Sequence, residues 1–158
     1  MKLKDSVVYL SQFNKSLKQA ITDGDLGAGG GGGTKIEVFN TMVVNSTGAS
    51  TLTGVAYFKA PQNLTINQVV LQIFEKGSIT TGSLTLDLKK NTTPDSVGMA
   101  SVFTTLPTIN FATASNYATD SGVLASPAST LNSGEWVRID LTSIPTGLGK
   151  FYIMVYAS

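Results

Sequence analysis

The chain contains neither cysteine nor histidine. Without cysteine there can be no disulfide, no thiolate metal ligand and no thiol nucleophile. Without histidine the commonest general base and the commonest transition-metal ligand are also missing. Charge is scarce: 13% of the 158 residues are Asp, Glu, Lys or Arg, against roughly 25% in ordinary globular domains. A formal net charge of +1 leaves no electrostatic footprint for nucleic acid. No apolar run approaches the roughly 20 residues of a membrane-spanning helix. The opening MKLKDSVVYLSQFNKSLKQAI interrupts its apolar positions with polar ones and shows no small-residue cleavage motif, so it does not read as a signal peptide. These absences predict a non-enzymatic protein with no catalytic residues, no metal and no cofactor, made in a cytosol and binding neither nucleic acid nor membrane.

The carboxylates support the same expectation. Asp87, Asp95, Asp120, Glu135 and Asp140 stand singly in candidate strands and turns, where they read as solvated turn or edge charge. None belongs to the spaced oxygen set of a calcium loop, and nothing in the spacing marks a glycosidase pair. The polar surface must be built from Ser, Thr, Asn and Gln instead. Such groups hydrogen-bond without long-range repulsion, which suits a surface packed among copies of itself.

Three segments follow one another along the chain. Residues 5–22 predict an amphipathic helix: Asp5 or Ser6 can cap it, and Val7, Leu10, Phe13, Leu17, Ala20 and Ile21 recur at spacings of three and four. One apolar face on a helix this short needs a partner. Residues 1–26 are therefore expected to form an anchoring arm, with Val7, Leu10, Phe13, Leu17 and Ile21 making the contact. Residues 27–33 form a linker containing Gly29, Gly30, Gly31, Gly32 and Gly33. A phosphate loop needs a strand before it and a helix after it. Here the order is reversed, and polyglycine serves as a tether or a path of close backbone approach.

From residue 34 to 158 the period becomes two. KIEVFNTMVV places Ile36, Val38, Asn40, Met42 and Val44 on one face. In APQNLTINQVVLQIFEKG, Val69, Leu71 and Ile73 alternate with Gln68, Gln72 and Phe74. GSLTLDLKKN turns Leu84, Leu86 and Leu88 inward and Thr85, Asp87 and Lys89 outward. EWVRIDL and KFYIMVYAS repeat the pattern with Val137, Ile139, Leu141 and with Phe151, Ile153, Val155. Between these runs lie turn clusters such as NTTPDS and NSG. Many short alternating strands without helical periods between them predict an all-β, antiparallel β-sandwich of jelly-roll type.

The outward positions include Phe74, Trp136, Tyr152, Met154 and Tyr156, a large apolar area to leave wet. They are the candidate oligomer face, with a homotrimer expected. Tyr117, Trp136, Tyr152 and Tyr156 also make a candidate aromatic platform for a host glycan.

The phrases GSLTLDLKKNTTPDS, PTINFATASNYATDSGVLAS and LNSGEWVRIDLTSIPTGLGKFYIMVY resemble the small β-sandwich domains of tailed-bacteriophage virion proteins: head decoration proteins, head fibres and parts of tail fibres. The resemblance covers about residues 55–158 and rests on texture and phrase order. It implies a virion-attached, commonly trimeric domain without enzymatic role. The expected partners are the major capsid protein or other virion proteins and further copies of the chain. The expected location is the outer capsid surface, or the tail or neck in a glycan-binding fibre.

Overall fold

The computed structural model describes residues 36–45, 48–95 and 97–158. The expected helical arm and glycine linker lie outside these residues. Within them the chain is entirely β, with no helix. The strands are β1 (Ile36–Val44), β2 (Leu52–Lys59), β3 (Leu64–Ile73), β4 (Ser83–Asn91), β5 (Ala100–Ser101), β6 (Phe103–Thr105), β7 (Thr108–Asn110), β8 (Thr119–Asp120), β9 (Val123–Leu124), β10 (Thr130–Leu131), β11 (Trp136–Ser143) and β12 (Lys150–Ala157).

All pairings are antiparallel. One sheet runs β1-β12-β3-β10, with β8 also paired to β3; the other runs β2-β11-β4-β5, with β7 also paired to β4; β6 and β9 form a two-stranded ribbon. The four long N-terminal strands alternate between the two sheets rather than pairing as hairpins. The last two long strands then insert between them: β11 between β2 and β4, β12 between β1 and β3. The C-terminus thus supplies the centre of both sheets.

The inward faces meet in one apolar core. Leu71, Ile73, Phe151, Ile153 and Val155 come from the first sheet and Leu84, Leu86, Leu88, Val137, Ile139 and Leu141 from the second, all essentially without exposure. This is the sandwich-like arrangement that alternating strands demand when each sheet has one apolar face. Phe39 and Phe58 stack at 5.5 Å between the outermost strands β1 and β2, closing one side of the core.

In the first sheet two β-bulges shift the alternation, because one extra residue on a strand reverses every side chain beyond it. In β3, Tyr156 pairs with Gln68 but Ala157 with Ile66. The extra residue lets Leu64 and Ile66 point inward together with Val69, Leu71 and Ile73. In β1 the shift lies between Glu37 and Phe39, and it corrects the single face expected for Ile36, Val38, Asn40, Met42 and Val44. Beyond the bulge Phe39, Thr41 and Val43 pair with the buried Val155, Ile153 and Phe151. Asn40, Met42 and Val44 face solvent instead.

Candidate functional site

The outer face of β1-β12-β3 is unusually apolar. On β12 the outward residues are Tyr152, Met154 and Tyr156, all half-buried. The register sets Met42 of β1 and Gln72 of β3 on either side of Tyr152, and Asn40 and Val70 on either side of Met154. Met42 is 46% and Val44 51% exposed. Phe74, which follows β3, packs edge-on against Tyr152 at 4.6 Å. Four of the five residues of the candidate oligomer face, Phe74, Tyr152, Met154 and Tyr156, thus belong to this sheet. Trp136 does not. It sits on β11 in the other sheet, with the Lys59 ammonium 5.6 Å from its ring centroid. The anchoring residues Val7, Leu10, Phe13, Leu17 and Ile21 and the linker glycines lie outside the described residues.

The outer face of β2-β11-β4 carries charge instead. Strand register puts Asp140 opposite Asp87 and Arg138 opposite both Tyr57 and Lys89. Arg138 donates to Asp140 Oδ2 at 2.9 Å, and the Lys89 ammonium lies 3.4 Å from Asp140 Oδ2 and 3.6 Å from Asp87 Oδ2. The Gly54 N–H donates to Asp140 Oδ1 at 2.9 Å, and the Ser101 hydroxyl donates to Asp87 Oδ1 at 2.6 Å. Asp95, in the turn after β4, reaches back to accept from Tyr57 Oη and to pair with Arg138 at 3.6 Å.

Asp87 and Asp140 are only 6% and 4% exposed, which corrects their reading as solvated charge. Long neighbours cover these two short side chains, and each carboxylate is matched by cations and donors, as burial requires. Burial by itself pushes the Asp140 carboxyl up. Hydrogen bonds from Arg138 and Gly54, with the positive charges of Arg138 and Lys89, outweigh it and hold the group below its usual range. The Tyr57 phenol is held above its usual value, chiefly by its hydrogen bond to Asp95. The network ties β2, β4, β5, β11 and the turn after β4 into one outer surface. Both Asp140 oxygens and the Asp87 oxygens already have partners, so its chemistry is cohesion between strands. Outward charges at alternate positions of β4 and β11 were visible in the sequence; their adjacency was not.

A third feature lies at the loop end of the molecule. A cleft of about 660 Å³ opens between the 74–79 loop and the 146–150 loop, with Phe74, Ile79 and Leu148 among its apolar walls and Glu75, Lys76 and Lys150 among its polar ones. Tyr117 packs edge-on against the same Phe74 at 6.4 Å. The structure therefore gathers Tyr117 and Tyr152 of the expected aromatic platform around Phe74, while Trp136 stays on the other sheet. No group of three or more metal-ligating side chains occurs among the described residues.

Comparison with protein-family models, with curated proteins and with solved structures finds no match.

Proposed function

We propose that this chain is a structural protein of a tailed-bacteriophage particle, carried on the outside of the capsid as a decoration protein or head fibre. In this reading residues 34–158 are a jelly-roll-like sandwich that assembles as a homotrimer, and residues 1–26 anchor it to the major capsid protein. The observation that carries the proposal is the apolar outer face formed by Met42, Val44, Phe74, Tyr152, Met154 and Tyr156. Exposed apolar area concentrated on three adjacent strands marks an association surface, and low charge leaves little repulsion to keep copies apart. The sequence texture of residues 55–158 supports the particle context. The helical periodicity of residues 5–22 supports the anchor.

Light scattering on the full chain tests the assembly: the expected mass is three times the 16.5 kDa of one chain. Tyr152→Lys should reduce it to one chain mass while the melting transition persists, since the outward ring is not part of the core. Densitometry of purified particles tests the location. A band at hundreds of copies per particle supports decoration, and absence of the chain from particles overturns the proposal.

A further inference from the structure

Among the described residues β1 forms the long border of the first sheet, whose other borders are the short strands β8 and β10. The Asn45 N–H donates to the Gly149 carbonyl at 2.8 Å, in the same register that sets Val44 opposite Lys150 and Val43 opposite Phe151. Opposed residues of an antiparallel pair exchange hydrogen bonds at every second position. Phe39, Thr41 and Val43 therefore bond to β12. Asn40, Met42 and Val44 aim their N–H and C=O groups the other way, at the open edge. No strand among the described residues takes those groups.

Folded proteins usually blunt such an edge with lysine, proline, a bulge or a very short strand. The long border of the second sheet, β2, has two of these devices, the exposed Lys59 and the irregularity at Gly54. From Phe39 to Val44, β1 has none of them. Its register with β12 is unbroken there, and FNTMVV contains no charge, proline or glycine.

We propose that this edge pairs with the same edge of a second copy, antiparallel about a two-fold axis, so that two first sheets become one. With Met42 opposite Met42, Asn40 falls opposite Val44 of the second copy, and all three residues exchange their outward backbone groups. A two-fold axis at Thr41 would instead draw the bulge after Glu37 into the pairing. Charge agrees with the antiparallel sense. The Glu37 end of one strand lies beside the Val44 end of the other, where Lys150 is the β12 neighbour. A parallel pair would bring two Glu37 ends together.

The pairing goes beyond the trimer reading. It extends a sheet in its own plane through backbone groups, whereas the trimer face packs side chains perpendicular to that plane. Each bond formed replaces a bond to water, so an isolated pair is weak. Copies held side by side on a surface meet at high effective concentration. There the contact joins neighbouring trimers into a continuous covering; that role, but not the pairing itself, rests on the particle proposal.

A chain without cysteine makes the register testable by cross-linking. In the full chain carrying Tyr152→Lys, which removes the trimer contact, Met42→Cys places a thiol opposite its own symmetry mate, within disulfide reach. Asn40→Cys leaves the two thiols displaced along the strands and out of reach. At about 1 mM chain and under mild oxidation, Met42→Cys should yield a cross-linked dimer about tenfold faster than Asn40→Cys. Adding Asn40→Pro to Met42→Cys removes an edge donor and no bond to β12. It should slow the cross-link about tenfold with an unchanged melting temperature; if the proline lowers that temperature, the two cysteine variants decide alone. Equal rates for the two cysteine variants, or a rate untouched by a folded Asn40→Pro variant, overturn the pairing. Light scattering of the parent separates the two readings. One chain mass with the cross-link intact removes the trimer alone, and three chain masses without the cross-link remove the edge pairing alone.

Discussion

Asp140 holds Gly54 across the sheet: one carboxylate oxygen accepts the Gly54 N–H at 2.9 Å while the other takes Arg138 at 2.9 Å. Gly54 sits where β2 slips against β11, between the Ile139–Ala56 and Leu141–Leu52 pairs, with a φ of 66°. The irregularity leaves a backbone donor unpaired in the ladder, and the buried carboxylate satisfies it. An ionic network and a backbone bulge are therefore one device.

Removing that carboxylate strips Arg138 of its best partner and leaves the Gly54 donor without its acceptor. Asp140→Ala should cost about 3 kcal/mol of unfolding free energy, measured by urea denaturation. A loss below about 0.5 kcal/mol, the scale of ordinary surface changes, would show that the network contributes little cohesion.

Asp140 also sets a pH dependence. Its carboxyl is held below its usual value in the folded chain, so the unfolded state takes up a proton first as pH falls. The stabilisation is complete above the unfolded value and is lost as pH drops from there through the lowered folded value. Urea midpoints of parent and Asp140→Asn, compared between pH 7 and pH 2, should converge toward acid. Curves that stay parallel across that range would contradict the assignment.

Gly122 faces a harder constraint. Its φ is 61°, and a Cβ there would lie 2.4 Å from the Thr105 carbonyl oxygen and 2.6 Å from the Pro107 nitrogen. Both are backbone atoms that cannot swing aside, so the β6–β9 ribbon would have to open. Gly122→Ala should lower stability by about 2 kcal/mol, whereas Gly98→Ala, with open space around it, should cost only its backbone strain. A thermal melt of the two variants decides; equal losses would remove the steric explanation.

The chain order of the strands predicts an uneven response to truncation. A fragment from Thr34 to Ser158 retains every described strand and should melt cooperatively. A fragment ending at Gly149 lacks β12, the strand joining β1 to β3, and should show no cooperative transition. Since Ile36 waits for Ala157 and Val44 for Lys150, refolding of the longer fragment should be slow, as expected for non-local sheets. Millisecond or slower refolding in stopped flow supports this; microsecond refolding contradicts it.

Period-two alternation by itself determined that the region from residue 34 is β, and it identified the inward residues of β4, β11 and β12. These strands keep their alternation in phase wherever the apolar side chains must meet the core: Leu84, Leu86 and Leu88; Val137, Ile139 and Leu141; Phe151, Ile153 and Val155. In β1 the phase was not legible, because the bulge after Glu37 is a property of pairing with β12 and leaves no mark in a run whose apolar residues fall on both faces. Trp136 and Tyr152 looked equivalent in sequence, as outward aromatics on consecutive long strands. The tertiary structure separated them by sending β11 and β12 to different sheets. Asp87 and Asp140 lie far apart in the chain and looked like solvated charges. Only strand register set them side by side under Arg138 and Lys89, where desolvation and ion pairing together decide their state. A single strand's pattern records which side chains avoid water; which strands become neighbours is settled by long-range pairing, which that pattern does not encode.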